Sequence, residues 1–284
     1  MKIEALFYEK VKDKIHCFLC PHNCVIKDGH FGKCRVRIHE EGKLFTINYG
    51  EITSISLDPI EKKPLYYFRP GTQILSVGSF GCNFTCDFCQ NYSISQFVTE
   101  SNYMSKENLV ETILTTKNNS GIAFTYNEPS IWYEYMYDCI KLLKETDPNA
   151  QVVMVTNGYI SEEPLKQLLP YVDAMNIDLK SFNAEYYKGL CGGSLQPVLK
   201  TIKIAAKACH VEITTLLVSG ENDSLEEVEQ IAKFLSAINA EIPLHLSRCF
   251  PRYKIQNPPT DISFMRKAEE VAKRHLSRVM LGNI

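Results

Sequence analysis

The sequence predicts an α/β protein: a partial (β/α)6 TIM-like barrel with a small N-terminal Cys-rich metal-binding unit. Three observations predict it. From residue 72 onward, six short apolar runs alternate with longer amphipathic stretches, the pattern of parallel strands joined by crossover helices. Seven of the eleven cysteines fall in two tight groups, Cys17, Cys20, Cys24 and Cys34, then Cys82, Cys86 and Cys89. The stretch Asp58–Gly71 carries prolines at 59, 64 and 70 and reads as a connector. The expected division is a Cys-rich region over 1–71 and a barrel over 72–284.

The strands are expected at Gln73–Val77, Gly121–Thr125, Gln151–Thr156, Asp173–Ile177, Val211–Val218 and Pro243–Leu246, with a weak seventh at Arg278–Gly282. Helices are expected at Lys106–Thr116, Ser130–Glu145, Glu162–Leu169, Gln196–Ala208, Leu225–Ile238 and Ile262–Leu276. In such a fold chemistry gathers at the carboxyl ends of the strands, so the residues just after each apolar run are the ones to inspect.

Bulk composition removes several classes. The chain has 284 residues, 45% hydrophobic and 23% charged, with a formal net charge of −2. This is the balance of a folded globular chain and not of a basic nucleic-acid binder. No apolar run approaches the ~20 residues that cross a membrane. The opening MKIEALFYEKVKDK lacks the apolar centre of an export signal, so a cytoplasmic protein is expected. Clustered thiols in a long chain of that kind read as metal ligands rather than disulfides.

The first strand runs into Ser79-Phe-Gly-Cys-Asn-Phe-Thr-Cys-Asp-Phe-Cys-Gln-Asn91. Three thiolates spaced Cys-x3-Cys-x2-Cys on one loop can hold three irons of a [4Fe–4S] cubane, leaving the fourth iron open to a small molecule. A zinc knuckle short of one ligand is the competing reading, but zinc sites usually show paired Cys-x2-Cys or a Cys/His mix. The second strand ends at Asn127-Glu128-Pro129, where a carboxylate can meet a ligand's ammonium group or simply favour the first turn of a helix. The third ends at Thr156-Asn157-Gly158, on its own only a turn signal. The fourth ends at Asp178-Leu-Lys180, and strand alternation puts the two charges on one side, as a ligand clamp or as an ion pair.

The Cys82–Cys89 motif, with Phe88 before its last cysteine, resembles the signature of the radical S-adenosylmethionine superfamily, and the likeness covers about residues 72–284. The resemblance implies that the open iron binds S-adenosyl-L-methionine and that the reduced cluster cleaves it to a 5′-deoxyadenosyl radical, which abstracts a substrate hydrogen. It places Glu128 opposite the methionine amino group, where relatives often have Gly-Gly-Glu-Pro and this chain has Tyr126-Asn127-Glu128-Pro129. It puts Asn127 and Asn157 near the cofactor, Val218 toward its ribose or adenine, and His245 where relatives carry a histidine. Asp178 and Lys180 resemble the Asp-x-Lys of glycyl-radical-enzyme activases, where these residues contact the methionine part and the reaction centre. A flavodoxin- or ferredoxin-type electron donor and a protein substrate are the implied partners, with no nucleic acid and no membrane.

The N-terminal group Cys17-x2-Cys20-Pro-His22-x-Cys24, then Cys34, can enclose one metal, either structural zinc or a second [4Fe–4S] cluster. His22 replaces one cysteine as ligand or sits in the Pro21–Asn23 turn. The group is similar to the AmmeMemoRadiSam-type subfamily of activase-like proteins. Modification of a small molecule or another polymer is the alternative activity, and a non-enzymatic metal knuckle the remote one. Cys139, Cys191, Cys209 and Cys249 are read as structural.

Overall fold

A computed structural model describes residues 1–284. The first fifty residues build two small antiparallel sheets from short alternating segments. Ile3–Glu4 (β1) pairs with Lys43–Thr46 (β6), which pairs with Arg37–Glu40 (β5). Tyr8–Val11 (β2), Lys14–Cys17 (β3) and Cys24–Lys27 (β4) form a meander. Along β3 the period of two is plain: Ile15 and Cys17 are buried, while Lys14 and His16 lean outward. Glu51–Ile52 (β7) pairs with Asn102–Tyr103 (β10).

The remaining strands form one eight-stranded sheet. Its parallel members are Gln73–Gly78 (β9), Asn119–Phe124 (β11), Gln151–Thr156 (β12), Ala174–Asp178 (β13), His210–Leu217 (β14), Leu244–Arg248 (β15) and Val279–Gly282 (β16), in sequence order. Ser54–Pro59 (β8) adds antiparallel to β9 at one edge. The two edge strands β8 and β16 do not pair, so this is an open barrel.

Tyr92–Ser95 (α1) is a single turn after the cysteine loop. The crossovers are Lys106–Thr115 (α2), Tyr133–Thr146 (α3) and Glu162–Leu168 (α4). After the short Ala184–Tyr186 (α5) come Leu195–Ala205 (α6), Leu225–Ser236 (α7) and Ile262–Lys273 (α8). Each buries one apolar stripe; in α7 it is Val228, Ile231, Ala232 and Leu235, at the spacing of a helix that packs on a sheet. Ser105, Ser224 and Asp261 cap α2, α7 and α8 by accepting from the third backbone N–H onward.

The weak seventh strand is formed, so seven parallel strands stand where six were counted; at four residues, its apolar run is too short to outweigh the chain around it. Strand β8, read as part of the N-terminal region, belongs to the barrel sheet, and its Ser-Ile-Ser-Leu-Asp-Pro sequence is polar because an edge strand packs on one side only.

The proline-rich connector is the floor of the barrel. Ile60 and Leu65 pack beneath Ile74, Ala123, Val153 and Ala174, contributed by four neighbouring strands. Asn176 Nδ2 donates to the Pro64 carbonyl at 2.8 Å. The fully buried Glu212 fixes the other side: it accepts from the backbone N–H groups of Tyr66 and Tyr67 at 3.1 and 2.7 Å, and from His210 and His245 Nε2 at 3.0 and 2.6 Å. Burial raises the Glu212 pKa, and these four donors outweigh it, bringing it down to about 2.

That depression has a measurable consequence. A carboxyl whose folded pKa lies below its unfolded one contributes stability that is present above the unfolded value and lost as pH falls through the folded value. Glu212 therefore contributes on the order of 3 kcal/mol at neutral pH, lost between about pH 4.5 and 2. Denaturant melts of Glu212→Gln across that range are expected to show lower stability at pH 7 and a flatter acid limb than the natural chain. Parallel curves would show that the carboxylate does not hold the floor.

Candidate active site

The loop 79–91, between β9 and α1, carries Cys82, Cys86 and Cys89, and all three line one cavity of about 720 Å³. The loop has no helix or strand of its own, so its peptide groups must find partners elsewhere. Asn127 accepts from the Ser79 N–H at 3.2 Å and donates to the Gly81 carbonyl at 3.0 Å. Arg35 donates to the Cys82 carbonyl at 3.1 Å and to that of Ser95 at 2.8 Å. His22 Nε2 donates to the Asn83 carbonyl at 2.7 Å, and Gln96 to that of Phe84 at 3.2 Å. The Thr85 and Asp87 N–H groups donate to the carbonyls of Cys191 and Leu190.

Two glycine positions are forced by this packing. A Cβ on Gly81 would stand 2.6 Å from Val36 Cγ1 and 2.9 Å from the Cys34 carbonyl. One on Gly193 would stand 2.2 Å from the Phe84 ring. The Cys-rich unit presses on one flank of the loop and the 187–193 segment on the other.

The thiols suit an iron–sulfur cluster. Cys82 Sγ accepts from the Phe84 N–H at 3.3 Å and faces Asn157 Nδ2 at 3.7 Å, contacts that favour a thiolate. Burial, with Glu128 and the neighbouring thiols beside it, pushes the Cys82 thiol well up. Cys86 is pushed up by its hydrogen bond with Cys191 and by burial, and Cys89 by burial and Cys86. Iron supplies the positive charge that reverses such shifts. No group of three or more Cys, His, Asp or Glu side chains is yet closed around a single metal position; the loop brings the donors to one wall.

Several residues expected at the strand ends reach this cavity: Asn127, Glu128, Asn157, Asp178 and Lys180 all line it. Glu128 is 1% exposed, accepting from Thr156 Oγ1 at 2.6 Å, the Asn157 N–H at 2.7 Å and the Ser130 N–H at 3.0 Å. It also caps the short turn that opens toward α3. Burial raises its pKa against those three bonds. Asn157 Nδ2 also holds Asn83 Oδ1 at 2.8 Å. Lys180 Nζ pairs with Asp178 Oδ2 at 3.0 Å and lies 5.8 Å from the Phe88 ring centre. Burial opposes charge on Lys180, and Asp178 with the Cys86 and Cys191 sulfurs more than restores it.

Two expected residues do not come to the cavity. Val218 is fully buried, its N–H donating to Asn222 Oδ1 at 2.6 Å, because Asn222 folds back to hold the turn and the Lys180 carbonyl. His245 is the second residue of β15, near the amino end of the strand, and belongs to the floor with Glu212 and Tyr66. Strand alternation could not separate the two ends of a run whose limits were unknown.

Residues that sequence reasoning missed act on the loop. Arg35 and His22 come from the Cys-rich unit; His22 points at the loop instead of replacing a thiol ligand. Cys191, read as structural, lies in the Tyr187–Cys191 turn as a free thiol beside that of Cys86. The Gly192-Gly193 pair beside it was the available signal.

In the N-terminal unit Cys17 and Cys24 face each other across the β3–β4 hairpin, and Cys17, Cys20 and Cys34 are buried. The fully buried Arg37 donates to Cys17 Sγ at 3.7 Å and to the Leu6 carbonyl at 2.7 Å, and pairs with Glu134 on α3. Trp132 Nε1 donates to the Asn48 carbonyl at 2.6 Å. These contacts seat the unit on the barrel.

An open β/α barrel whose first strand delivers three thiols to a polar cavity defines an enzyme that holds an iron–sulfur cluster with one iron free. The Radical SAM superfamily profile matches residues 76–235, more than half of the chain, and the chain belongs to that superfamily. It uses a [4Fe–4S] cluster and S-adenosyl-L-methionine, and Cys82, Cys86 and Cys89, which line one cavity, are thiols that could hold the cluster. The chain is 44% identical to protein MJ0808 of Methanocaldococcus jannaschii, over 99% of this chain and 85% of that protein. It is 25% identical to the 4-hydroxyphenylacetate decarboxylase activating enzyme of Clostridium scatologenes, over 54% of this chain and 50% of that one. A radical SAM methyltransferase structure from Sphaerobacter thermophilus shares the fold at a TM-score of 0.60 and 16% identity, over 75% of this chain and 67% of that chain. No helix is long and apolar enough to cross a membrane.

Alanine at Cys82, Cys86 or Cys89 is expected to abolish the cluster in anaerobically purified protein, read as iron and sulfide per chain. Arg35→Met removes two charge-assisted bonds and is expected to cost the loop on the order of 2 kcal/mol. Lower iron retention and an altered electron paramagnetic resonance signal of the reduced protein would report it; unchanged values would show that the loop does not depend on Arg35.

Proposed function

We propose that this enzyme removes a hydrogen atom from its substrate in the manner of the glycyl-radical-enzyme activating enzymes. The observation that carries the reading is the half-buried Asp178–Lys180 pair at the end of β13, lining the cavity with Phe88 and Cys86, in a chain with an activating enzyme among its relatives. The cluster, when bound and reduced, supplies the electron that cleaves S-adenosylmethionine to the radical that abstracts hydrogen.

The chain's own residues bind, orient and exclude water. Glu128 offers a carboxylate to the methionine ammonium, and Lys180 an ammonium to its carboxylate, each already held by neighbours so that little reorganisation accompanies binding. Asn157 and Asn127 keep the cysteine loop in register with that pair. Asp178 orients Lys180. A flavodoxin- or ferredoxin-type protein is the proposed electron donor, the cytoplasm the proposed location, and a protein the proposed substrate. The four N-terminal thiols are a tetrathiolate site for zinc or for a second cluster. A small-molecule substrate is the second reading, favoured by the depth of the cavity, which continues past the cysteine loop to the barrel floor.

The test is anaerobic purification, metal analysis, and reduction in the presence of S-adenosylmethionine with quantification of 5′-deoxyadenosine. The proposal expects cleavage, with about four irons plus one zinc, or about eight irons if the N-terminal site holds a cluster. Asp178→Asn and Lys180→Met are expected to lower 5′-deoxyadenosine formation about a hundredfold at unchanged iron content. Cleavage at the natural rate in both variants would remove the pair from the mechanism.

A further inference from the structure

The cavity is divided by charge. Around the cysteine loop its ionisable lining, thiols aside, is Glu128, Asp178 and Lys180: two carboxylates against one ammonium. That half suits S-adenosylmethionine, whose sulfonium and ammonium outnumber its carboxylate. The other half is lined by Asp58, Lys62 and Lys63: two ammoniums against one carboxylate. This half is built from β8 and the floor. Asp58 pairs in register with Ile74, four residues before Gly78, where β9 delivers the cysteine loop. At the rise of a strand, that separates the two ends by about 13 Å.

The deep half has features that stability alone does not account for. Lys63 is 2% exposed, and burying an ammonium costs free energy that a single ion pair does not reliably return. Its Nζ is 2.9 Å from Asp58 Oδ2 and 4.8 Å from the centre of the Tyr126 ring. Lys62 shares the same carboxylate at 3.0 Å, so neither lysine has an anion to itself. Tyr126 holds a left-handed backbone at φ 71°, strained for a residue with a Cβ. There its hydroxyl donates to Asp58 Oδ2 at 2.9 Å, and its carbonyl accepts from Asn91 at 2.6 Å, just past Cys89. One strained residue thus ties the end of the cysteine loop to the lysine pair.

We infer that the deep half of the cavity is an anion subsite: Lys63 and Lys62, oriented by Asp58 and Tyr126, receive a carboxylate or phosphate group of the molecule that yields its hydrogen. The subsite selects substrates by charge and sets the distance between the anionic group and the C–H bond presented to the cofactor half. Ser56, Asp58, Lys62, Lys63 and Tyr126 on its wall offer polar groups to such a ligand. The inference rests on the radical-enzyme reading for the word substrate, and on the cavity alone for the binding.

The test is calorimetric titration of cluster-loaded protein, with S-adenosylmethionine present, using succinate, inorganic phosphate and the neutral succinamide as probes. One or both anions are expected to bind at least about tenfold more tightly than succinamide, and less tightly as salt is raised. Which anion binds better names the group, carboxylate or phosphate. Lys63→Gln is expected to weaken that binding about tenfold or more. Iron content and melting temperature report whether this buried variant folds. If it does not, Lys62→Glu, whose side chain is 67% exposed, carries the test and is expected to lose anion binding through charge inversion.

Equal affinity for anions and succinamide, or undiminished anion binding in the folded variants, would overturn the subsite. 5′-Deoxyadenosine from the natural chain is measured alongside. Cleavage without anion binding sinks the subsite and leaves the radical reading standing; anion binding without cleavage does the reverse.

Discussion

The loop from Ser79 to Asn91 must hold three thiols on one side of a cavity while having no hydrogen-bond ladder of its own. An irregular loop at the end of a buried strand cannot leave its peptide groups unpartnered, so everything around it is recruited to satisfy them. Partners come from both directions along the chain. Arg35 and His22 arrive from the N-terminal unit, Asn127 from the end of β11, and the Leu190 and Cys191 carbonyls from the turn after β13. Each partner sits on an element that is itself fixed by core packing. The geometry of the thiols is thereby a property of the whole fold.

That dependence explains the N-terminal unit. Taken alone, residues 1–50 are a pair of small sheets with little apolar interior. They dock on the barrel through Arg37 with Glu134, Asn48 with Trp132, and Phe7 against Tyr133 at 4.9 Å. In return they wall the cysteine loop, with Val36 and Cys34 against Phe80 and Ile131. A metal at the four thiols would stiffen this wall, since it would fix the segment that carries His22 and Arg35. The same region then supplies β8 and the floor, so that the chain before the first parallel strand forms both an edge and the base of the barrel.

Polar groups share that base with the apolar packing of Ile60 and Leu65. Glu212 gathers two backbone N–H groups and two imidazoles, and Asp58 gathers two lysines and a tyrosine. The two clusters differ in what they face. Glu212 is wholly enclosed and acts as a pin, whereas Asp58, Lys62 and Lys63 line the cavity that holds the thiols. Burial without access reads as structure, and burial with access reads as binding.

The sequence by itself determined the alternation of strands and helices, because periodicities of two and 3.6 are local properties of the chain. It determined the three-thiol loop, because the spacing of Cys82, Cys86 and Cys89 gathers three thiols on one short segment after a strand, and it put Asp178 beside Lys180, because residues two apart in a strand share a side. Only the tertiary structure decided which end of the barrel each polar residue serves. His245 looked like a rim residue and is a floor residue; Val218 looked exposed to the cofactor and is turned inward by Asn222. What Arg35 and His22 touch carried no local signal, since it lies tens of residues away, as with the 47 between Arg35 and Cys82. Periodicity tells which face a side chain takes relative to its neighbours, and only packing between distant segments tells what that face meets.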